Sequence, residues 1–497
     1  MNNEIKQENV PSKKTPKKPE AEILLDRQLE MKDKTKTSNI ITIVLFCAFI
    51  LFFGLMFFIL PDNAYSQTEK RALASAPDMS WFRISTGLGR DLKMMTMTED
   101  EKAAYKDKAN WSNIQTELYE KIDKMNVSDE KKTELRKKVT YDRYFKVFSD
   151  DISDYYSDQF PFRDQLRVIK AATEIAMLKQ ENNGVLFAKG YLVKKDTLAD
   201  WKTLEDATGT IDSNLKYIGD MQKFLPENIK CYTAVAGRTV DIAESALPAI
   251  FPYSSTNAEA YWQTYNEAVE KYGVNTVELK DLLKGKFDEG EYVYYKTDHH
   301  WTTLGAYYAY TSISAAFGKA PYSLDKFERE VFSSKFIGTT YAKAGAALGG
   351  ADTIEFFRYE GDKDYETVIK EDGTVLEAFY NYEYRNDNDK YSAFLGSDNK
   401  SNGGNNAVTL ITKKSGEPRE KMIVIKDSFG HSLVPFLAID YDLIVLDMRY
   451  YNGDMSEYLS DEAVTSILFI YNMETFSNND GPQKAGGSVI VYYKYLA

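Results

Sequence analysis

The chain has 497 residues, of which 28% are charged, with 62 basic against 75 acidic side chains and a net charge of −13. That balance argues against nucleic-acid binding, and the length allows two or three domains or one large α/β domain with insertions. Two cysteines, Cys47 and Cys231, exclude a disulfide framework or a cysteine-rich zinc module, and 14% aromatic residues exclude a disordered chain.

Residues 1–38 are Lys-rich and interrupted by Pro11, Pro16 and Pro19, which reads as a mostly disordered tail. From Ile40 to Leu60 no residue is charged, and a helix of that length crosses a hydrocarbon core of about 30 Å. A transmembrane helix is therefore expected over 39–61. The tail carries nine Lys or Arg against seven acids, so the positive-inside tendency places it in the cytoplasm and leaves −15 for the rest outside. A cleaved signal peptide is the competing reading. The apolar run is longer than a usual signal core, it starts late, and no clear small-x-small site lies directly after Pro61.

Residues 62–180 are expected to form a helical, extracytoplasmic, membrane-proximal region, because 98–179 are rich in Lys, Glu, Asp and Ala with apolar residues at three- and four-residue spacing. From 181 to 497 the texture is α/β. Short β-rich runs at 229–235, 292–295, 422–425, 443–446 and 466–470 alternate with helical patterns at 258–271 and 303–317, as in a parallel sheet with crossover helices. A polar, Asn/Asp/Gly-rich stretch at about 321–418 reads as an inserted β and loop region.

All three histidines fall in two motifs, Lys296-Thr297-Asp298-His299-His300-Trp301-Thr302 and Lys426-Asp427-Ser428-Phe429-Gly430-His431. In an extended segment residues two apart share a side, so Asp298 can reach His300 and fix its tautomer. Ser428 follows a strand and precedes a possible helix, where free backbone N–H groups can stabilise an oxyanion, so it is the nucleophile candidate. Each motif has a plainer reading: Asp427 and Ser428 as a helix N-cap pair, Asp298 to His300 as a structural loop anchored by Trp301. A metal set of Asp298, His299, His300 and His431 is a third, although adjacent histidines in an extended segment rarely point at one ion. With every histidine placed there, the two motifs together favour catalysis by Ser428, His300 and Asp298, with no metal and no cofactor.

Asp298-x-His300-Trp301 followed by Asp427-Ser428-Phe429 resembles the DHHW family and its relatives, the alginate-acetylation proteins of the SGNH hydrolase superfamily. Glu69-Lys70-Arg71-Ala72-Leu73 with Pro77, Asp158-Gln159-Phe160-Pro161-Phe162-Arg163-Asp164, Asn183-Gly184-Val185 and Gly190-Tyr191-Leu192 extend the resemblance. It implies an SGNH-like parallel sheet with flanking helices in circularly permuted motif order. Ser428 would be the nucleophile, His300 the general base and Asp298 its orienting acid. Lys426 departs from the superfamily's Gly before Asp-Ser. For the oxyanion hole and substrate the matching strand ends offer Asn472, Arg449 and Gly453, with Tyr450 and Tyr451 able to stack on a sugar; Asn472 could equally be a loop cap, and the tyrosines core residues. The implied activity is O-acetyl transfer or ester hydrolysis on a cell-envelope or secreted polysaccharide, alongside a multispanning membrane O-acyltransferase. The acidic ectodomain suggests a neutral or zwitterionic glycan. A metal-dependent polysaccharide deacetylase and a non-enzymatic polysaccharide-binding or assembly protein are the alternatives.

Overall fold

The computed structural model describes residues 20–66, 68–69, 71–76, 152–195, 203–345, 350–370, 373–396, 407–414, 416–451, 453 and 455–496, with isolated residues between 119 and 136. These divide into two units, 1–64 with 73–163, and 65–72 with 164–497.

In the first unit α1 (Glu20–Ile59) is one continuous helix. Its stretch Lys34–Ile59, with a mean hydropathy of 2.9 and an unburied apolar window, is long and apolar enough to cross a membrane. The polar residues from Glu20 onward are therefore helical where composition suggested coil. The run after Pro19 holds no glycine or proline before Gly54 and is rich in Leu, Glu, Lys and Met, residues that lose little freedom in a helix. Most of the helical region expected at 98–179 lies outside the described residues. Within the unit, Phe160 and Phe162 stack on Phe53 and Phe52, and Tyr156 on Phe57.

The second unit is mixed α/β around an eight-stranded, mostly parallel sheet. Its strands are β1 (Lys230–Ala236), β2 (Thr276–Val277), β3 (Tyr365–Ile369), β4 (Thr374–Glu377), β5 (Val408–Lys413), β6 (Lys421–Lys426), β7 (Asp442–Leu446) and β8 (Val464–Asn472). They lie in the order β4-β3-β5-β7-β6-β8-β1-β2. β7, β6, β8, β1 and β2 run parallel, while β5, β3 and β4 add an antiparallel edge. The polar stretch 321–418 thus contributes three strands to the main sheet, besides an antiparallel pair, Glu328–Phe336 with Asp352–Arg358.

The central strands are buried on both faces, which explains their continuous apolar runs. Met422 and Val424 of β6 join a core with α4 (Thr303–Phe317) and α5 (Gly430–Leu437). Ile423 and Ile425 point the other way, into a core with α2 (Leu204–Gln222), α3 (Ala258–Tyr272) and α6 (Gly481–Val491). The period of two in a strand sends alternate side chains to opposite layers, and each fully buried aliphatic side chain contributes roughly 1.5–3 kcal/mol. The expected strand at 292–295 is not one. Tyr294 pairs only through an isolated bridge to Trp301, and Tyr294 and Tyr295 are fully buried. The aromatic run signalled burial there, and burial did not require a ladder.

β6 lies between β7 and β8, the strands that follow it in the chain. It is a point where strand order reverses, and the carboxyl ends of such strands open a crevice. Ser428 stands two residues past the end of β6.

Candidate active site

Two segments converge beyond β6. One is the turn Asp427–Gly430 between β6 and α5; the other is the bend 296–300, which α4 follows after its N-cap at Thr302. The bend is held from several sides. Asp352 accepts from the Lys296 and Thr297 N–H groups, the Thr297 hydroxyl and the Tyr292 hydroxyl. Leu192 N–H, on the strand Tyr191–Lys194, donates to the Lys296 carbonyl at 2.8 Å.

Within the bend, Asp298 Oδ1 lies 2.6 Å from His300 Nδ1 and also accepts from the His300 N–H at 3.0 Å. Its Oδ2 accepts from the Thr339 N–H at 2.7 Å and the Thr339 hydroxyl at 3.0 Å. Burial alone would raise this carboxyl; the adjacent imidazoles and these donors outweigh it and hold Asp298 well below the usual carboxylate range. An ionised carboxylate accepts only, so His300 carries its proton on Nδ1. Nε2 is then a lone pair, and it lies 2.7 Å from Ser428 Oγ. The hydroxyl donates, the imidazole accepts, and the serine is only partly buried.

The same logic fixes His299. Thr339 gives its one hydroxyl proton to Asp298, so His299 Nδ1, 2.8 Å from that oxygen, is the donor. His299 keeps 29% side-chain exposure. Desolvation, with His300, Lys194 and Arg449 nearby, nevertheless pushes its imidazole well below the usual range, so it is neutral. His431 stands apart. Lys426, buried at 2% exposure, places Nζ 2.6 Å from His431 Nε2 and 3.0 Å from Asp447 Oδ2. An ammonium only donates, so this His431 nitrogen accepts.

Asp298, His299 and His300 offer ligand atoms within 4.8 Å of one another and could hold a metal. In this arrangement both Nδ1 atoms donate to oxygen, and His431 faces Lys426 rather than the cluster. The four-residue metal set is therefore not assembled.

The remaining sequence candidates divide. Asn472 caps the helix Met473–Asn478: its Oδ1 accepts from the Glu474 N–H at 2.9 Å, and its amide donates to the Gly237 and Ala236 carbonyls. The loop-cap reading describes it, and its side-chain donors are not aimed at an oxyanion. Its own N–H donates to Asp427 Oδ2, while Asp427 Oδ1 accepts from the Phe429 N–H, so Asp427 braces the Ser428 turn across two strand ends. Burial raises the Asp427 carboxyl, with Arg449 and those amides opposing. Arg449 is forked on Asp447 at 2.6 and 2.9 Å and acts electrostatically on Asp427 and His299. Its guanidinium lies 5.2 Å over the Tyr450 ring. Gly453 is exposed beside Tyr451, and among the described residues no contact brings it to Ser428. In the turn, Asp427, Phe429, Gly430 and His431 donate their N–H groups to protein acceptors, whereas the Ser428 N–H has none among the described residues.

Sequence reasoning missed Thr339, Asp352 and Tyr391. Tyr391 stacks on His300 with ring centroids 4.0 Å apart and an interplanar angle of 12°. All three lie in the stretch read as an insertion, and no local pattern marks them.

A DHHW protein family model matches residues 192–446, just over half of the chain. Among solved structures, a DHHW family protein from Eubacterium siraeum is 21% identical, with 61% of this chain and 96% of that one covered and a TM-score of 0.48. Bacillus cereus PatB1 is 21% identical, covering 60% and 98%, with a TM-score of 0.45. The O-acetyltransferase domain of Pseudomonas putida AlgJ is 14% identical, covering 60% and 93%, with a TM-score of 0.36. No curated protein matches the chain.

Proposed function

This chain belongs to the DHHW family, and we propose that it is a serine-dependent O-acetyltransferase or acetylesterase acting on a cell-envelope or secreted polysaccharide. One observation carries the reading: His300 accepts from Ser428 Oγ at 2.7 Å while its other nitrogen is held by Asp298 at 2.6 Å. That is a nucleophile, a base in the right tautomer and the group that sets it. Asp298 and His300 precede Ser428 in the chain, the permuted order of an SGNH-like fold, and triads depend on geometry rather than order.

As Ser428 Oγ bonds to the acyl carbon of a donor ester, its proton passes to His300 Nε2. The acyl–oxygen bond breaks and His300 returns the proton to the leaving oxygen. A sugar hydroxyl, or water, then gives its proton to His300 and takes the acyl group from Ser428. The Ser428 N–H stabilises the oxyanion. Arg449, anchored on Asp447, orients the acceptor, with Tyr450 as a stacking surface. No cofactor enters this scheme. α1 serves as a single-pass anchor with its N-terminus in the cytoplasm, and a multispanning membrane O-acyltransferase supplies the acyl group to an acidic ectodomain suited to a neutral or zwitterionic glycan.

The test is intact mass after incubation with an activated acetyl ester. One acetyl adduct on Ser428, absent in Ser428→Ala and undiminished by a chelator, supports the triad. Turnover that survives Ser428→Ala but not the chelator moves the assignment to the metal cluster.

A further inference from the structure

We infer that Tyr391 is a positioning residue for His300: its ring holds the imidazole against tilting and steadies the charge the imidazole gains, and its hydroxyl ties that ring to the Ser428 turn. The inference rests on the Ser428, His300 and Asp298 reading above. Tyr391 sits in the short 3-10 turn Lys390–Ala393, 5% exposed. Its hydroxyl donates to the Ser428 carbonyl at 3.2 Å and lies 3.2 Å from Ser432 Oγ. One side chain therefore touches both halves of the site, the base through its face and the nucleophile turn through its edge.

The hydrogen bond from Nδ1 to Asp298 fixes the direction of the imidazole but leaves rotation about that bond open. A nearly parallel ring 4.0 Å away closes that freedom. The stack also acts differently on the two protonation states. When Ser428 Oγ bonds to carbon and its proton moves to Nε2, the ring becomes an imidazolium, and an aromatic face attracts a cation more strongly than a neutral ring. Only an interaction stronger in the transition state accelerates the step. The other groups around His300 are Asp298 at Nδ1, Ser428 at Nε2, and the His299 and Phe429 rings at 3.9 and 5.1 Å, with Lys194 and Arg449 acting on His299.

The test measures, on the full chain, the rate at which phenylmethanesulfonyl fluoride modifies Ser428 across pH, in wild type, Tyr391→Phe and Tyr391→Leu. Tyr391→Leu should slow modification about tenfold and move the acidic limb of the profile to lower pH by about half a unit. Tyr391→Phe keeps the face, so it should retain the wild-type limb and lose only about two- to threefold in rate, for the lost hydroxyl contact. Equal impairment of both variants with an unmoved limb would reduce Tyr391 to a packing residue and overturn the inference, as would a wild-type rate in Tyr391→Leu. Wild-type protein that takes no label on Ser428 would instead sink the triad reading, and this inference with it.

Discussion

Trp301 donates its indole N–H to the Phe429 carbonyl at 3.1 Å, across 128 residues of chain, and shares it with Ser432 Oγ at 2.9 Å. The residue after His300 is thus bonded to the residue after Ser428. Trp301→Phe keeps much of the apolar volume and removes the donor. The buried carbonyl then loses a partner, at a cost of about 1–3 kcal/mol in urea unfolding. Because the bond spans the two motifs, Ser428 acylation should fall further than the same loss of stability elsewhere in the core would cause.

Asp298→Asn should leave the bend nearly intact, since an amide oxygen can still accept at one side. The amide cannot hold the His300 proton on Nδ1 as an ionised carboxylate does, and the wrong tautomer turns Nε2 from acceptor to donor toward Ser428. Acetyl-ester turnover should drop about 10³- to 10⁴-fold, with thermal unfolding shifted far less. A drop of only a few-fold would show that His300 does not depend on this carboxylate for its role.

The meeting of Ser428, His300 and Asp298 was legible because a protein with three histidines places them all in two short motifs, and because a strand, turn and helix order presents Ser428 at a sheet end. The central strands were legible from continuous β-branched runs. What escaped depends on distance in the chain. Thr339 meets Asp298 across 41 residues and Tyr391 meets the Ser428 carbonyl across 37, from a stretch whose polar composition hides three strands of the main sheet. Asn472 was visible as a residue type at a strand end, but the direction of its amide is set by Gly237, just past the end of the neighbouring β1, which no local pattern encodes.

Gly338 is another residue without a sequence signal. A Cβ built there would lie 2.2 Å from Asp298 Cβ and 2.4 Å from its Oδ2. Gly338→Ala must therefore push the carboxylate or the Thr339 turn aside. The expected result is about 1–3 kcal/mol of destabilisation and a loss of Ser428 acylation approaching that of Asp298→Asn. Wild-type acylation in this variant would show that the approach of backbone to carboxylate is not needed.

His299 and Asp298 both make the protein less stable in acid, in separate windows. A histidine held below its unfolded value of about 6.5 binds fewer protons folded than unfolded, so the stability it contributes is complete above that value and shrinks as pH falls toward its folded value. Asp298, held below about 3.9, adds its loss only as pH approaches and passes that value. Between about pH 6.5 and 5 the histidine acts alone of the two, with a slope that can approach 1.4 kcal/mol per pH unit for one proton. His299→Gln removes the titrating group while keeping an amide able to donate to Thr339. Urea midpoints measured at pH 7.5, 6.5, 5.5 and 5.0 should fall for the wild type and stay flatter for the variant, converging on a shared acid loss below about pH 4. An unchanged slope would show that His299 takes up its proton as readily in the folded protein as in the unfolded chain, and is therefore charged by about pH 5. It would then no longer be the neutral neighbour that the proposed role of His300 as base requires.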